Sequence, residues 1–162
     1  MDPKKNEMRS FYDICNSAGT DKVQYHGYHY FYPRFLENFR EEKFRMLEIG
    51  YGDGESAKAW LEYFPNAEIM VMDIDVTKID GRLKVMKADQ SNINDLQMVA
   101  GFVKTAKFII DDGSHHPVHQ LETFEYFFRN LLEPGGIYII EDIECSYWNP
   151  KETIYGYQVG YF

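Results

Sequence analysis

Short apolar runs that alternate with helix-like stretches constrain the fold of this chain more than any other feature. Four runs are apolar on successive residues, as strands buried on both faces require, and a weaker fifth run has similar length. The runs cover residues 44–49, 69–72, 108–110 and 137–140, with the weaker one at 83–86. Helix-like stretches lie between them at 55–64, 92–103 and 117–132. The alternation predicts an α/β fold with a doubly wound, mostly parallel sheet and right-handed crossovers.

Helix-start signals support this assignment. Ser91 precedes the second helical stretch as its predicted N-cap, and Pro117 can occupy the first position of the third. In such a fold, ligands bind beyond the carboxyl ends of the strands, so we expect the functional residues there.

The chain of 162 residues fits a single domain. Residues 1–40 precede the first strand and predict an N-terminal helical segment that is a candidate lid, and residues 41–162 predict the core. The lid is interpreted as one or two helices, interrupted at 17–22 and by an aromatic stretch at 25–32.

Charge and cysteine content exclude several function classes. A net charge of −9 repels nucleic-acid phosphates and anionic lipid headgroups, so we expect no nucleic-acid or membrane partner. The two cysteines, Cys15 and Cys145, have no disulfide-scaffold or zinc-site spacing, which favours a reducing cytoplasm. With no membrane-length apolar run and a charged N-terminus, we expect a soluble, unprocessed protein. The 13 Tyr and 12 Phe allow two interpretations, core packing or flat faces for a ring-shaped ligand, and packing is favoured.

A glycine-rich turn follows the first strand and opens a helix. Gly50, Gly52 and Gly54 permit a tight turn and close ligand approach, and the second strand ends at Asp73, where a carboxylate can bind ribose hydroxyls. A dinucleotide fingerprint needs glycine where Glu55 stands, and Glu55 would repel a pyrophosphate. The turn instead resembles motif I of the S-adenosylmethionine-dependent methyltransferases. An NAD-dependent oxidoreductase is the disfavoured alternative.

Asp89 and Gln90 follow the third strand. In the methyltransferase superfamily an acidic residue at this place often binds the adenine amino group. The alternative is a polar loop that leads into a capped helix.

Four carboxylates end the last two strands of the predicted sheet. These strands are neighbours in the methyltransferase order, so Asp111, Asp112, Glu141 and Asp142 meet at one edge. Oxygen ligands without thiolates suit magnesium, and we assign Asp112, Glu141 and Asp142 to the metal. Asp111 is assigned to the cofactor side, although alternation along a strand leaves open which of Asp111 and Asp112 faces the metal.

His115 lies in the turn before Pro117, at the edge where the metal is expected. A turn histidine beside a metal-bound hydroxyl can act as a general base, and a structural hydrogen bond is the alternative. For His116 and His119 we expect capping or surface roles.

Taken together, these residues resemble a known family, the metal-dependent sugar O-methyltransferases of macrolide and related antibiotic pathways, of the mycinamicin and tylosin type. The matching motifs are GTDK at 19–22, the His- and Tyr-rich stretch after it, the glycine turn, DQS at 89–91, DDGSH at 111–115, IED at 140–142 and SYW at 146–148.

The resemblance implies a Rossmann-like S-adenosylmethionine-dependent methyltransferase that uses Mg2+ to methylate a sugar hydroxyl. The implied magnesium ligands are Asp112, Glu141 and Asp142, and the implied base is His115. The implied cofactor-binding residues are Glu48, Gly50, Asp73, Asp89 and Gln90. The predicted cofactor set also includes Gly52, from the glycine turn, and Asp111, from its place on the cofactor side. Thr20, Asp21 and Lys22 match the family motif, and we expect only that they close over the site. Family members are oligomeric, so a homo-oligomer is expected.

The chain departs from the family after Asp142. Residues 143–162 are too few for the helix and β-hairpin that complete such a domain, so we expect a fold shortened at the C-terminal hairpin and an exposed sheet edge. The alternative function is a catalytically incomplete cofactor-binding module with an assembly or partner role.

Overall fold

A computed structural model describes residues 8–148, 153–154 and 157–158 of the chain. Its helices are α1 (Phe11–Ala18), α2 (Asp21–Gln24), α3 (Tyr32–Leu36), α4 (Glu55–Tyr63), α5 (Ile93–Val103) and α6 (Pro117–Asn130). Its strands are β1 (Arg45–Ile49), β2 (Glu68–Asp73), β3 (Lys78–Asp80), β4 (Leu83–Lys87), β5 (Ala106–Asp111), β6 (Leu132–Ile140), β7 (Thr153–Ile154) and β8 (Tyr157–Gln158). Short 3-10 turns lie at Tyr28–Tyr30, Glu37–Phe39 and Ile143–Tyr147.

The predicted doubly wound sheet is confirmed. Six strands lie in the order β3-β4-β2-β1-β5-β6, and all neighbours are parallel except β3, which pairs antiparallel with β4. The strand order reverses between β1 and β5, so their carboxyl ends form the switch point where ligands bind in such sheets. β5 and β6 are neighbours, with Asp111 in register with Ile140, as the carboxylate argument requires.

Three details of the secondary-structure prediction are wrong. The sequence misses β3, because its residues are all exposed at the sheet edge and carry no buried pattern. The N-cap of α5 is Asn92, whose side chain accepts a hydrogen bond from the backbone N–H of Asn94; Ser91 instead donates to Asp89. Helix α6 ends at Asn130, not at residue 132, and β6 begins at Leu132, not at residue 137. The start of β6 is not apparent from the sequence because Pro134, Gly135 and Gly136 are untypical of a strand.

Two apolar clusters cover the two faces of the sheet. One cluster lies between the sheet and helices α1 and α4 and holds most of the buried aromatic side chains, including Phe11, Trp60, Tyr63 and Phe64. The other packs the opposite face against α5 and α6, around Val99 and Phe127. Core packing therefore accounts for much of the aromatic content.

The N-terminal segment packs directly on the core. Phe11 stacks on Tyr32 and contacts the ring of Trp60, with ring centroids 5.4 and 5.5 Å apart. Gly19 ends α1 in the left-handed conformation, and the Thr20 hydroxyl caps α2 by accepting from the Lys22 backbone N–H. These caps place α2 over the carboxyl end of the sheet.

Among the described helices, none combines the length and apolar character needed to cross a membrane. Residues 1–7, 149–152, 155–156 and 159–162 lie outside the described part of the chain. The predicted shortening at the C-terminal hairpin falls largely on such residues and stays a prediction.

Candidate active site

A cavity of about 910 Å³ opens at the carboxyl end of the sheet, within the range of small-molecule sites. Its lining contains eight of the predicted site residues: Gly50, Gly52, Asp73, Asp89, Gln90, Asp112, His115 and Asp142. The N-terminal segment also contributes to the wall, through Gly19, Thr20, Asp21, Gln24 and Tyr25. Three predicted site residues, Glu48, Asp111 and Glu141, do not line the cavity and lie buried behind it.

The glycine turn forms one part of the cavity lining, the glycine end. Gly50 has a φ of 95°, and a Cβ built on it would overlap the backbone carbonyl oxygen of Asp112. The Gly50 N–H donates to the Met72 carbonyl oxygen at 2.8 Å, and the Asp112 N–H donates to the Ile49 carbonyl oxygen at 3.0 Å. The turn therefore packs backbone against backbone, which only glycine permits at this position.

Asp73 holds the loops on both sides of its strand end. One carboxylate oxygen accepts from the Tyr51 backbone N–H at 2.9 Å, and the other accepts from those of Asp75 and Val76 at 2.8 and 3.0 Å. Asp73 thus faces the glycine turn and lines the cavity, where a ribose hydroxyl can still share its lone pairs.

Glu48 lies beneath the glycine turn and does not line the cavity, and its assignment to the cofactor stays a prediction. Its carboxylate is fully buried and accepts from Ser56 Oγ at 2.7 Å and from Trp60 Nε1 at 2.9 Å. Burial raises the pKa of Glu48, against the opposing effect of Lys22. Its role is to anchor the start of α4 under the cavity.

Asp111 also lies behind the cavity wall, and its assignment to the cofactor side stays a prediction. The side chain is fully buried, and both oxygens accept from Gln90 Nε2 at 2.8–2.9 Å. Burial raises the pKa of Asp111 to about 7. Gln90 in turn accepts from the Ser114 backbone N–H at 2.9 Å, so this pair ties the loop after β4 to the turn that carries His115.

Asp89 lines the cavity and also has the contacts of a polar loop. Its carboxylate accepts from the Ser91 backbone N–H and hydroxyl at 2.8 and 2.7 Å. The Asp89 backbone N–H donates to Asp95 at 2.8 Å. The loop that leads into helix α5 therefore places Asp89 at the cavity, and its contact with an adenine amino group stays a prediction.

Asp112, His115 and Asp142 meet in a second part of the cavity lining, the acidic end. One ligand atom from each lies within 4.8 Å of the others, which makes this a candidate metal group. His115 Nε2 is 3.6 Å from Asp142 Oδ2 and 4.0 Å from Asp112 Oδ1. Both His115 and Asp142 have positive φ, 53° and 52°, so the backbone is held in an uncommon conformation to aim these side chains.

Glu141 lies outside this three-residue group but shares the Lys22 ammonium with Asp112. One of its oxygens accepts from Lys22 Nζ at 2.6 Å and the other accepts from the Tyr32 hydroxyl, while its backbone carbonyl accepts from Gln120 Nε2 at 2.9 Å. Burial raises the pKa of Glu141 to about 8 even though the Lys22 ammonium opposes that shift. Its assignment as a metal ligand stays a prediction.

Sequence reasoning misses the part that the N-terminal segment plays here. Besides Lys22 and Tyr32, this segment brings His26 Nδ1 to 3.3 Å from Asp142 Oδ1, and the Tyr28 hydroxyl donates to the same oxygen at 3.0 Å. Burial raises the pKa of Tyr28, so its hydroxyl stays a donor. The GTDK motif and the following His- and Tyr-rich stretch are the signal that could have indicated these contacts.

His116 and His119 lie beside the site without lining the cavity. His116 occupies the N-cap position of α6, and His119 Nδ1 is 3.0 Å from Ser114 Oγ. The position of His116 agrees with the expected capping role, whereas His119 is partly buried and not a surface residue.

Comparisons with known proteins agree with this geometry. The chain is 33% identical over 126 residues to the mycinamicin VI 2''-O-methyltransferase of Micromonospora griseorubida, covering 72% of this chain and 31% of that protein. It is 33% identical over 146 residues to the 8-demethyl-8-alpha-L-rhamnosyl tetracenomycin-C 2'-O-methyltransferase of Streptomyces olivaceus, covering 85% and 38%. No protein-family model matches the chain.

A solved structure shares the fold and 29% sequence identity. The MycE methyltransferase of the mycinamycin biosynthetic pathway, in complex with Mg, SAH and mycinamycin VI, superposes with a TM-score of 0.82, covering 88% of this chain and 39% of that one. The chain thus spans about a third of the length of the curated relatives it matches. The predicted resemblance is confirmed. This chain belongs to the family of sugar O-methyltransferases of the macrolide and tetracenomycin type, and it has their class I methyltransferase fold.

Proposed function

We propose that this chain binds S-adenosylmethionine and Mg2+ and transfers a methyl group to a sugar hydroxyl of a glycan or glycosylated small molecule. The observation that carries the proposal is that one cavity is lined both by the glycine turn and by the group of Asp112, His115 and Asp142. One pocket therefore offers a cofactor end and an acidic, histidine-bearing end. The sugar O-methyltransferase relatives support the same assignment.

The residues at the glycine end fit S-adenosylmethionine. Gly50 and Gly52 let the cofactor approach the backbone, Asp73 would bind the ribose hydroxyls, and Asp89 would bind the adenine amino group. Gln90 lines the same wall and keeps it in place through its bonds to Asp111 and Ser114. A cationic sulfonium suits this acidic cavity, whereas a pyrophosphate does not.

The donor set at the acidic end fits a divalent cation. Asp112 and Asp142 offer carboxylate oxygens within 4.8 Å of each other and of a histidine nitrogen, and Glu141 follows directly on β6. Oxygen-rich sites of this kind suit Mg2+. When bound, S-adenosylmethionine supplies an electrophilic methyl group and Mg2+ lowers the pKa of a coordinated hydroxyl.

His115 is the proposed general base. Its Nε2 lies 4.0 Å from Asp112 Oδ1 and 3.6 Å from Asp142 Oδ2, so an imidazole nitrogen stands beside the carboxylates assigned to the metal, where it can accept the proton of a sugar hydroxyl held there. The positive φ of His115 holds the ring at this place before the sugar arrives. Catalysis then rests mainly on positioning of the sugar oxygen.

Two aromatic side chains of the lining suit a sugar ring or its aglycone. Tyr25 is 85% exposed and Trp148 is partly exposed, and both line the cavity. They are flat apolar faces outside the core, which is the second interpretation of the aromatic content.

The buried thiols of Cys15 and Cys145 support a reducing cytoplasm as the place of action.

Calorimetric titration with S-adenosylhomocysteine and with MgCl2 tests the two binding sites. We expect the combined change Glu141→Ala with Asp142→Ala to abolish Mg2+ binding while cofactor affinity stays within a few-fold. If wild type binds neither ligand, the proposed function is wrong.

Turnover tests the base. With S-adenosylmethionine, MgCl2 and a panel of rhamnosides and macrolide glycosides, His115→Ala is expected to abolish methyl transfer, and His119→Ala, a nearby histidine outside the cavity, is expected to retain it. Unchanged turnover in His115→Ala would remove the assignment of the base.

A second candidate function is a cofactor-binding module with an assembly role, without catalysis. It is favoured by the exposed apolar side chains on α6, where Leu121 and Phe128 are 59% and 53% exposed, a surface suited to a second copy or a partner. This candidate predicts S-adenosylhomocysteine binding with no methyl transfer to any glycoside in the panel, together with a dimeric mass in solution.

A further inference from the structure

Lys22 occupies an unusual position for a lysine. Its side chain is 1% exposed, and its ammonium lies 2.6 Å from Asp112 Oδ2, 2.6 Å from Glu141 Oε2 and 3.9 Å from Glu48 Oε1. A buried ammonium is strongly unfavourable unless it is paired, so these carboxylates and Lys22 depend on one another. Helix α2, capped by Thr20, fixes where the lysine backbone lies.

This contact divides the two oxygens of Asp112 between two tasks. Oδ2 accepts from Lys22, and Oδ1 points toward His115 Nε2 at 4.0 Å, within the group formed with Asp142. Lys22 and the Tyr32 hydroxyl likewise fix the Glu141 carboxylate. The rotamer that brings Asp112 Oδ1 to the candidate metal group is thus held by a residue of the N-terminal segment.

We propose that Lys22 is a positioning residue for the metal site, which holds Asp112 and Glu141 so that Asp112 Oδ1 faces His115 and Asp142. The inference rests on the proposed function and adds a residue to it. Lys22 does not line the cavity, so it acts through the carboxylates and not on the sugar or the cofactor.

Positioning and simple electrostatics predict opposite results when Lys22 is neutralised. The ammonium repels a nearby Mg2+, so on charge alone its removal tightens Mg2+ binding. If Lys22 positions the ligands, its removal releases the Asp112 and Glu141 side chains and weakens Mg2+ binding about tenfold or more, as loss of a supporting contact does in metal sites.

The experiment is calorimetric titration of MgCl2 and of S-adenosylhomocysteine into wild type, Lys22→Met and the matched control Lys84→Met. Lys84 pairs with Glu68 at 3.3 Å on a surface away from the cavity, and its change removes the same charge. We expect about tenfold weaker Mg2+ binding in Lys22→Met alone, with S-adenosylhomocysteine affinity within a few-fold in all three proteins. Unchanged or tighter Mg2+ binding in Lys22→Met would overturn the inference.

A second pair of variants covers the case in which Lys22→Met does not fold. Glu48→Gln and Glu48→Gln with Lys22→Met differ only in the lysine, and the glutamine removes one of the buried charges that the lysine offsets without changing an assigned metal ligand. The inference expects weaker Mg2+ binding in the double variant than in Glu48→Gln, and equal affinities would contradict it. Failure of wild type to bind Mg2+ and S-adenosylhomocysteine would overturn the proposed function itself, which separates the two outcomes.

Discussion

The two ends of the cavity are built in different ways. The glycine end depends on backbone shape, since Gly50 packs against the Asp112 carbonyl oxygen and Asp73 binds backbone N–H groups. The acidic end depends on side-chain charges brought together from distant segments, with Lys22 separated by 90 and 119 positions from the carboxylates it contacts. Substitutions at the glycine end should therefore act by steric overlap with the backbone. Substitutions at the acidic end should act by changing charges and side-chain rotamers.

The largest expected effect is at the glycine end. Gly50→Ala forces the loop after β5 to move, because the new Cβ overlaps the Asp112 carbonyl oxygen, and we expect a loss of about 3 kcal/mol of stability and of S-adenosylhomocysteine binding. Gly81→Ala is the control, since Gly81 also has positive φ, 56°, but open space around it, and should cost about 1 kcal/mol. Urea unfolding and calorimetry measure both. Equal losses in the two variants would mean that φ, and not the close approach, requires glycine.

A second prediction tests whether the two ends are independent. Glu48 is shared by them, since Trp60 and Ser56 donate to it from α4 and Lys22 lies 3.9 Å away on the acidic side. Trp60→Phe leaves the buried carboxylate without one donor, and we expect a loss of about 2 kcal/mol in urea unfolding. We also expect a few-fold loss of affinity for both S-adenosylhomocysteine and Mg2+.

The control for that change is Tyr63→Phe, which removes a hydroxyl donor to the half-exposed Glu37 from the same aromatic cluster. It should cost less, about 1 kcal/mol, and leave both affinities unchanged. If Trp60→Phe alters only one of the two affinities, Glu48 belongs to one end alone.

A third prediction concerns only the acceptor. Tyr25→Ala removes an exposed ring from the cavity wall, and we expect about a fivefold rise in the KM for glycosides with S-adenosylhomocysteine affinity unchanged. Tyr30, 71% exposed and outside the lining, provides the matched change Tyr30→Ala, which should have no effect. Equal effects of the two variants would place the sugar away from this wall.

The sheet could be predicted from the sequence because its strands are buried on both faces and appear as uninterrupted apolar runs. Strand β3 could not, since an exposed edge strand imposes no such pattern. The glycine turn was predictable for a related reason: its residues are close in sequence, and the local backbone determines its shape.

The acidic end was only partly predictable. Strand ends indicate that Asp111, Asp112, Glu141 and Asp142 meet, but not which side chains reach the cavity and which turn beneath it. Asp111 turns beneath because Gln90 is there to donate to it, and Glu141 turns toward Lys22 and Tyr32. A buried lysine at a distance of 90 positions or more from its partners leaves no periodic signal in the sequence.

The smallest expected effect measures what a charge pair contributes away from the site. Glu68, on the surface, accepts from Arg45 at 2.8 Å and from Lys84 at 3.3 Å, and these hydrogen bonds lower its pKa from the ordinary value of 4.5. Because the folded-state pKa lies below the unfolded one, the stabilisation is fully present above pH 4.5 and is lost as the pH falls through the folded-state pKa.

Since these groups are about 40% exposed, solvent screening limits the contribution, and Glu68→Gln should lose about 0.5 kcal/mol at pH 7 and nothing in strong acid. Urea midpoints of the two proteins across this pH range give the measurement. A difference that persists in acid would mean that Glu68 acts through packing rather than charge. If Glu68→Gln loses much less unfolding free energy at pH 7 than Lys22→Met does, then burial, and not charge pairing as such, makes the acidic end of the cavity depend on Lys22.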